Sequence, residues 1–233
     1  MRRRRFLAFT AACAALSAGQ ARAQALRGAY ASIDMRGTDE LLGRLRQAYG
    51  SDKRVAMREV AGRPAIVMPP VFYALGSALA EERPEDAVYW YQCGRIRAVY
   101  DALRCRDKTA RNALNIVRRL LSPELQKEMF YRRDRLVRLA EKAVAWDLDT
   151  PRSYDQRWPA LYGDAAKTSD GSEDLQVPES EWPEVLKHVH EAHLQSVRAF
   201  VNSKPYPSSQ TGRAREEEIG VSRTDEESAE VRE

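Results

Sequence analysis

The chain has 233 residues, 43% of them apolar, which is enough to bury a core; 38 are basic and 34 acidic. The basic excess belongs to the first 23 residues, which hold five arginines and no acid, leaving 33 bases against 34 acids downstream. A remainder so close to neutral gives no global case for nucleic-acid binding, and no segment is apolar for the ~20 residues that a membrane span requires.

From the N-terminus, four arginines (Arg2 to Arg5) precede an uncharged run over 6–18, and Ala21-Arg22-Ala23 follows. A basic head, a short apolar middle and a small-x-small end predict a cleaved bacterial export signal over 1–23, with cleavage near Ala23 and a periplasmic or secreted mature chain. Arg3-Arg4-Arg5-Phe6-Leu7 also fits a twin-arginine pattern, which implies export of a folded protein and leaves the route open.

The mature chain reads as one all-α domain over 24–201, an irregular bundle of about six helices with a helical hairpin at its centre. A first helix begins after Thr38, with Leu41, Leu42, Leu45 and Tyr49 on one side and Gly50 as its stop. Residues 51–70 read as a loop with room for one short strand at 65–68, ending in Pro69-Pro70. A helix over 71–80 leads through Glu81-Glu82-Arg83 to Pro84, placed for a first helical turn, with Glu85 and Asp86 at the positive helix end. The helix that follows carries Ala87, Trp90, Tyr91, Gly94, Val99, Tyr100 and Leu103 at spacings of three and four.

A helix over 109–121 comes next, and Ser122-Pro123-Glu124 then caps a long helix running to about residue 146. Thr150-Pro151 ends it, a short turn holds Trp158, and 163–178 is loop. Ser180 caps a last helix to about 201 that turns Trp182, Val189, Val197 and Phe200 inward. Residues 202–233 are charged and nearly free of large apolar groups, a composition that predicts a disordered tail.

Residues 72–79 and 84–94, with the pair Leu75-Gly76 followed by Ala87 and Trp90-Tyr91, resemble one unit of the tetratricopeptide and Sel-like helical repeats. The resemblance covers about 25 residues and has no second copy at a fixed period, whereas a solenoid takes about three. Trp90-Tyr91, Gly94, Ile96-Arg97, Tyr100, Ala145-Trp146-Asp147 and Thr150-Pro151 also look like a group of uncharacterised exported bacterial helical proteins, over roughly residues 71–162. That second resemblance implies a fold and no activity.

Four constellations carry possible chemistry. Trp90, Tyr91, Arg95, Arg97 and Tyr100 mix aromatic rings and guanidinium groups on and beside one helical face, the composition of binding hot spots and of carbohydrate or peptide grooves, and equally of a core edged by arginines. His188, His190 and His193 lie in one run with Glu191; imidazoles on one helical face can hold zinc or copper, though the spacing is not that of the zinc peptidases. Residues 104–138 hold eleven bases and four acids, which suits an anionic envelope polymer or lipid surface, or two solvated helix faces. In the set Trp146, Asp147, Tyr154, Asp155, Arg157 and Trp158, a buried Asp–Arg pair is expected to tie the short turn to the long helix.

Cys93 and Cys105 remain after cleavage, in a compartment that permits a disulfide. If one helix runs through both, twelve residues of rise hold them about 18 Å apart, so a bond needs a break near Gly94. There is no phosphate loop, nucleophile elbow or Cys-x-x-Cys, and no cofactor is indicated. The leading expectation is therefore a non-enzymatic periplasmic protein-binding module, of the inhibitor or immunity type, using the groove around Trp90 to Tyr100. A metal-binding or metal-dependent hydrolytic protein using the histidine run, and an envelope-polymer or lipid-surface binder, are the alternatives.

Overall fold

A computed structural model describes residues 26–203 apart from Ala48 and Arg132. The export signal expected over 1–23 and nearly all of the charged tail expected over 202–233 lie outside the described residues.

The fold is all-α, with ten α-helices and no strand among the described residues. None of these helices is long and apolar enough to cross a membrane. The centre is an antiparallel hairpin of α4 (Pro69–Leu79) and α5 (Pro84–Leu103). In α4, nine residues are buried, from Pro69 to Leu79, so this helix is enclosed on nearly every side. Paired prolines in its first turn supply fixed φ where no amide partner is needed, and Pro84 does the same for α5.

Two glycines bring the hairpin together. A Cβ on Gly76 would stand 2.8 Å from the Ala87 carbonyl, and one on Gly94 would stand 2.8 Å from Phe72 Cβ, so each is needed for close approach of the backbones. Phe72 then stacks on Trp90 at 5.5 Å, and Trp146 meets both rings edge-on. Trp146 comes from α8 (Arg133–Asp149), which crosses α5, and α10 (Trp182–Asn202) packs against both.

On the remaining sides lie α2 (Arg36–Leu45), α3 (Ser51–Gly62), α6 (Asn112–Arg118) and α7 (Pro123–Tyr131), with two single-turn helices, α1 (Gly28–Ala31) and α9 (Ala165–Thr168). Gly28 and Gly171, both at positive φ, let the first described residues meet the 169–178 loop, where the Ala29 amide donates to the Gly171 carbonyl at 3.0 Å.

Several sequence expectations need correction. Residues 51–62 form a helix rather than a loop: α3 buries only Ala56 and Val60, a stripe too narrow to stand out from its charged neighbours. The short strand expected at 65–68 is a 3-10 turn over Pro64–Ile66 followed by extended, unpaired Val67 and Met68. Tyr49 lies past the end of α2 and is exposed, not part of its apolar side. Ser122 does cap α7, its hydroxyl accepting from the Leu125 amide at 3.2 Å. Ser180 caps nothing; it sits inside a 3-10 turn, Glu179–Glu181, that leads into α10.

Candidate functional site

Four polar side chains of α5, at positions 92, 95, 97 and 101, define the chemistry of the molecule, because this central helix meets a different surrounding at each.

Arg97 is fully buried and saturated. Its Nε donates to Asp147 Oδ1 at 2.9 Å, its Nη2 to the Thr150 carbonyl at 2.8 Å, and its guanidinium lies 4.2 Å from the Trp146 ring centroid. Asp147 Oδ2 accepts from Arg152 and lies 2.8 Å from His190 Nε2. Burial is the largest influence on Asp147 and would raise its pKa; the His190 hydrogen bond and the charges of Arg152 and Arg97 outweigh it, holding the carboxyl below its ordinary range. This knot ties α8, the 150–152 segment and α10 to the hairpin. The Asp–Arg tie expected within the set holding Asp147 and Arg157 does not form: Asp147 pairs with Arg97 and Arg152 instead, and Arg157 pairs with Asp155 near the surface.

One helical turn further on, Asp101 is also fully buried but lacks an ionic clamp. Its Oδ2 accepts from Trp158 Nε1 at 2.9 Å and from the Tyr154 hydroxyl at 3.1 Å, while Oδ1 has no partner. Burial drives the carboxyl up, and those hydrogen bonds with the charges of Arg104 and Arg152 offset it only in part, leaving it at about 7. Arg104 is itself buried, held by the side-chain oxygens of Gln156 and Gln176 and stacked 3.6 Å from the Trp182 ring centroid.

The other side of α5 opens onto a groove of about 480 Å³. Met129 and Phe130 of α7, Leu136 of α8, and Val197 and Phe200 of α10 supply apolar walls, and Phe200, expected to face inward, is 39% exposed at its rim. Tyr91, Gln92 and Arg95 form the α5 side, with Arg118 opposite. Gln92 is only 2% exposed, and its buried side-chain oxygen, Oε1, has no hydrogen-bond partner. Neither Arg95 nor Arg118 has an ion-pair partner among the described residues; Arg95 donates only to Ser196 Oγ, at 3.3 Å.

Of the five expected binding residues, Tyr91 and Arg95 share this groove and the other three do not. Trp90 is half-buried in the Phe72–Trp146 aromatic cluster, Arg97 is inside the Asp147 knot, and Tyr100 is buried beneath the guanidinium groups of Arg104 and Arg152. Gln92, Met129, Phe130 and Phe200 were not singled out as binding residues from the sequence; the one available signal was an amide placed within an apolar helical face.

The histidines do not converge. His188 is exposed, His190 is spent on Asp147, and His193 is buried with its Nε2 unpartnered. Among the described residues no group of three or more His, Cys, Asp or Glu is arranged to hold a metal ion. Cys93 and Cys105 are free thiols, because α5 runs unbroken past Gly94. The basic residues of 104–138 scatter as well: Arg104 is in the interior, Arg135 and Arg138 pair with Glu85, and Arg133 donates to the Ser203 carbonyl.

Comparison with protein families, with characterised proteins and with solved structures gives no match. The groove therefore has to be interpreted from its own chemistry.

Proposed function

We propose that the chain is a non-enzymatic, exported binding module that receives a segment of another protein in the groove between α5, α7, α8 and α10. The observation that carries this reading is the Gln92 side-chain oxygen, a buried acceptor left unbonded among apolar walls. Leaving a buried polar group without a partner costs about 1–3 kcal/mol, which an incoming hydrogen-bonding segment removes. The walls provide the anchor pockets that binding hot spots use, and Arg95 and Arg118 provide charges with no internal duty. The scattered arginines of 104–138 give a continuous polymer-binding or lipid-binding face less support.

Photo-crosslinking in the producing cell tests the reading. A photoreactive residue replacing Met129 should yield a discrete protein adduct that the same residue at exposed Leu148 does not. No adduct at Met129, or the same adduct at both positions, refutes it.

A further inference from the structure

The chain leaves the described fold at the rim of the groove. Arg133 sits between two of the groove's walls, its guanidinium 4.7 Å from the Phe130 ring centroid and 4.6 Å from that of Phe200. The same guanidinium donates to the Ser203 carbonyl at 2.7 Å, which pins the end of α10 beside the opening. From that point the sequence continues with Lys204-Pro205-Tyr206-Pro207.

Helix direction sets what lies within reach. α5 and α10 run antiparallel, because Arg95 meets Ser196 while Arg104, further along α5, stacks on Trp182 at the start of α10. Gln92, a turn before Arg95, therefore lies toward the Phe200 end of α10, and both residues line the groove. Ser203 stands only about 4.5 Å of helical rise beyond Phe200. Three further residues of extended chain cover about 10 Å, enough to bring Tyr206 back over the opening.

The chemistry matches as well. Gln92 Oε1 is an acceptor without a partner among apolar walls, so the fitting occupant is an apolar group tipped with a donor. Of the large apolar residues after Ser203, namely Tyr206, Ile219, Val221 and Val231, Tyr206 is the nearest and alone carries a side-chain donor. Its neighbours Pro205 and Pro207 have no amide hydrogen to leave unpaired against those walls. We propose that Tyr206 of this same chain docks in the groove, its ring on Met129, Phe130 and Phe200 and its hydroxyl donating to Gln92 Oε1 once that amide turns to face it, so that a partner segment enters by displacing it. The displacement rests on the groove reading above; the docking does not. A segment tethered within reach of its site acts at a concentration in the millimolar range, so the tyrosine excludes weak binders and yields to a partner with several anchors.

The test uses the full chain labelled at its methionine methyl groups and read by NMR. Tyr206→Ser should move the Met129 signal, by removing an aromatic ring from beside it, and leave those of Met35, Met57 and Met68 in place. Tyr206→Phe keeps the ring and loses the donor; docking about fivefold weaker, the worth of one hydrogen bond, should put Met129 between the other two chains. In the producing cell, Tyr206→Ser should raise several-fold the partner adduct formed by a photoreactive residue at position 129. A Met129 signal indifferent to Tyr206→Ser overturns the docking and leaves the groove reading standing. Coincidence of Tyr206→Phe with the wild type overturns the bond to Gln92. An adduct yield that Tyr206→Ser does not change overturns the displacement. A moved Met129 signal with no partner adduct from either chain upholds the docking and removes the groove reading.

Discussion

Two arginines of α5 sit two positions apart and live in opposite circumstances. Arg97 donates to a carboxylate and to backbone carbonyls and stacks on Trp146, all without touching solvent. Arg95 has a single hydroxyl for company and faces an open cleft. A helix turns about 200° over two residues, so one segment contributes both to the molecule's tightest knot and to its least satisfied surface. Saturation marks a group that holds the fold; Arg95 is left with one neutral partner beside apolar walls.

The comparison breaks first at Arg97. Arg97→Met strands Asp147 in the interior with fewer partners, and should cost about 3–5 kcal/mol in a urea titration. Gly94→Ala comes next, because the added carbon would meet Phe72 Cβ at 2.8 Å and the Pro69 carbonyl at 3.3 Å, groups that cannot swing aside. A loss of about 1–3 kcal/mol is expected from such overpacking.

Of opposite sign to one another are two pH effects. Asp101 holds its proton up to about 7 when folded but releases it near 3.8 when unfolded, so its contribution is complete below that lower value and fades as pH rises through 7. Asp101→Asn should flatten this decline, and its unfolding midpoint should gain on the wild type as pH goes from 4 to 8. His193 behaves inversely. The unfolded imidazole takes a proton near 6.5 and the folded one only near 3, so stability falls on acidification across that window, and His193→Gln should remove the loss.

The smallest effect sharpens the contrast most. Arg95→Met should leave stability within about 0.5 kcal/mol in the same titration. A large destabilisation would place Arg95 in the same structural class as Arg97.

The hairpin was legible because its punctuation is local: prolines open both helices, and an apolar run with a Leu-Gly pair fills α4. What escaped was whatever depends on distant partners. Helix α3 was hidden because it buries only Ala56 and Val60, with Met57 half-covered beside them, and Val67 and Met68 are extended without a strand to pair with. Arg97 and Arg95 look alike in the sequence; only the arrival of Asp147, 50 residues later, separates them. The groove draws on helices spread from residue 91 to residue 200, so no window of sequence contains it.

The sulfurs give the unbroken path of α5 a consequence for biogenesis. In the folded protein Cys93 and Cys105 are sealed in, and burial holds both thiols protonated, Cys105 up to about 12 and Cys93 higher still. In a nascent chain the same two sulfurs are only twelve residues apart and free to oxidise together, yet the resulting ring is incompatible with a continuous helix between them. An oxidant that reaches the polypeptide too early would thus lock it out of its native shape.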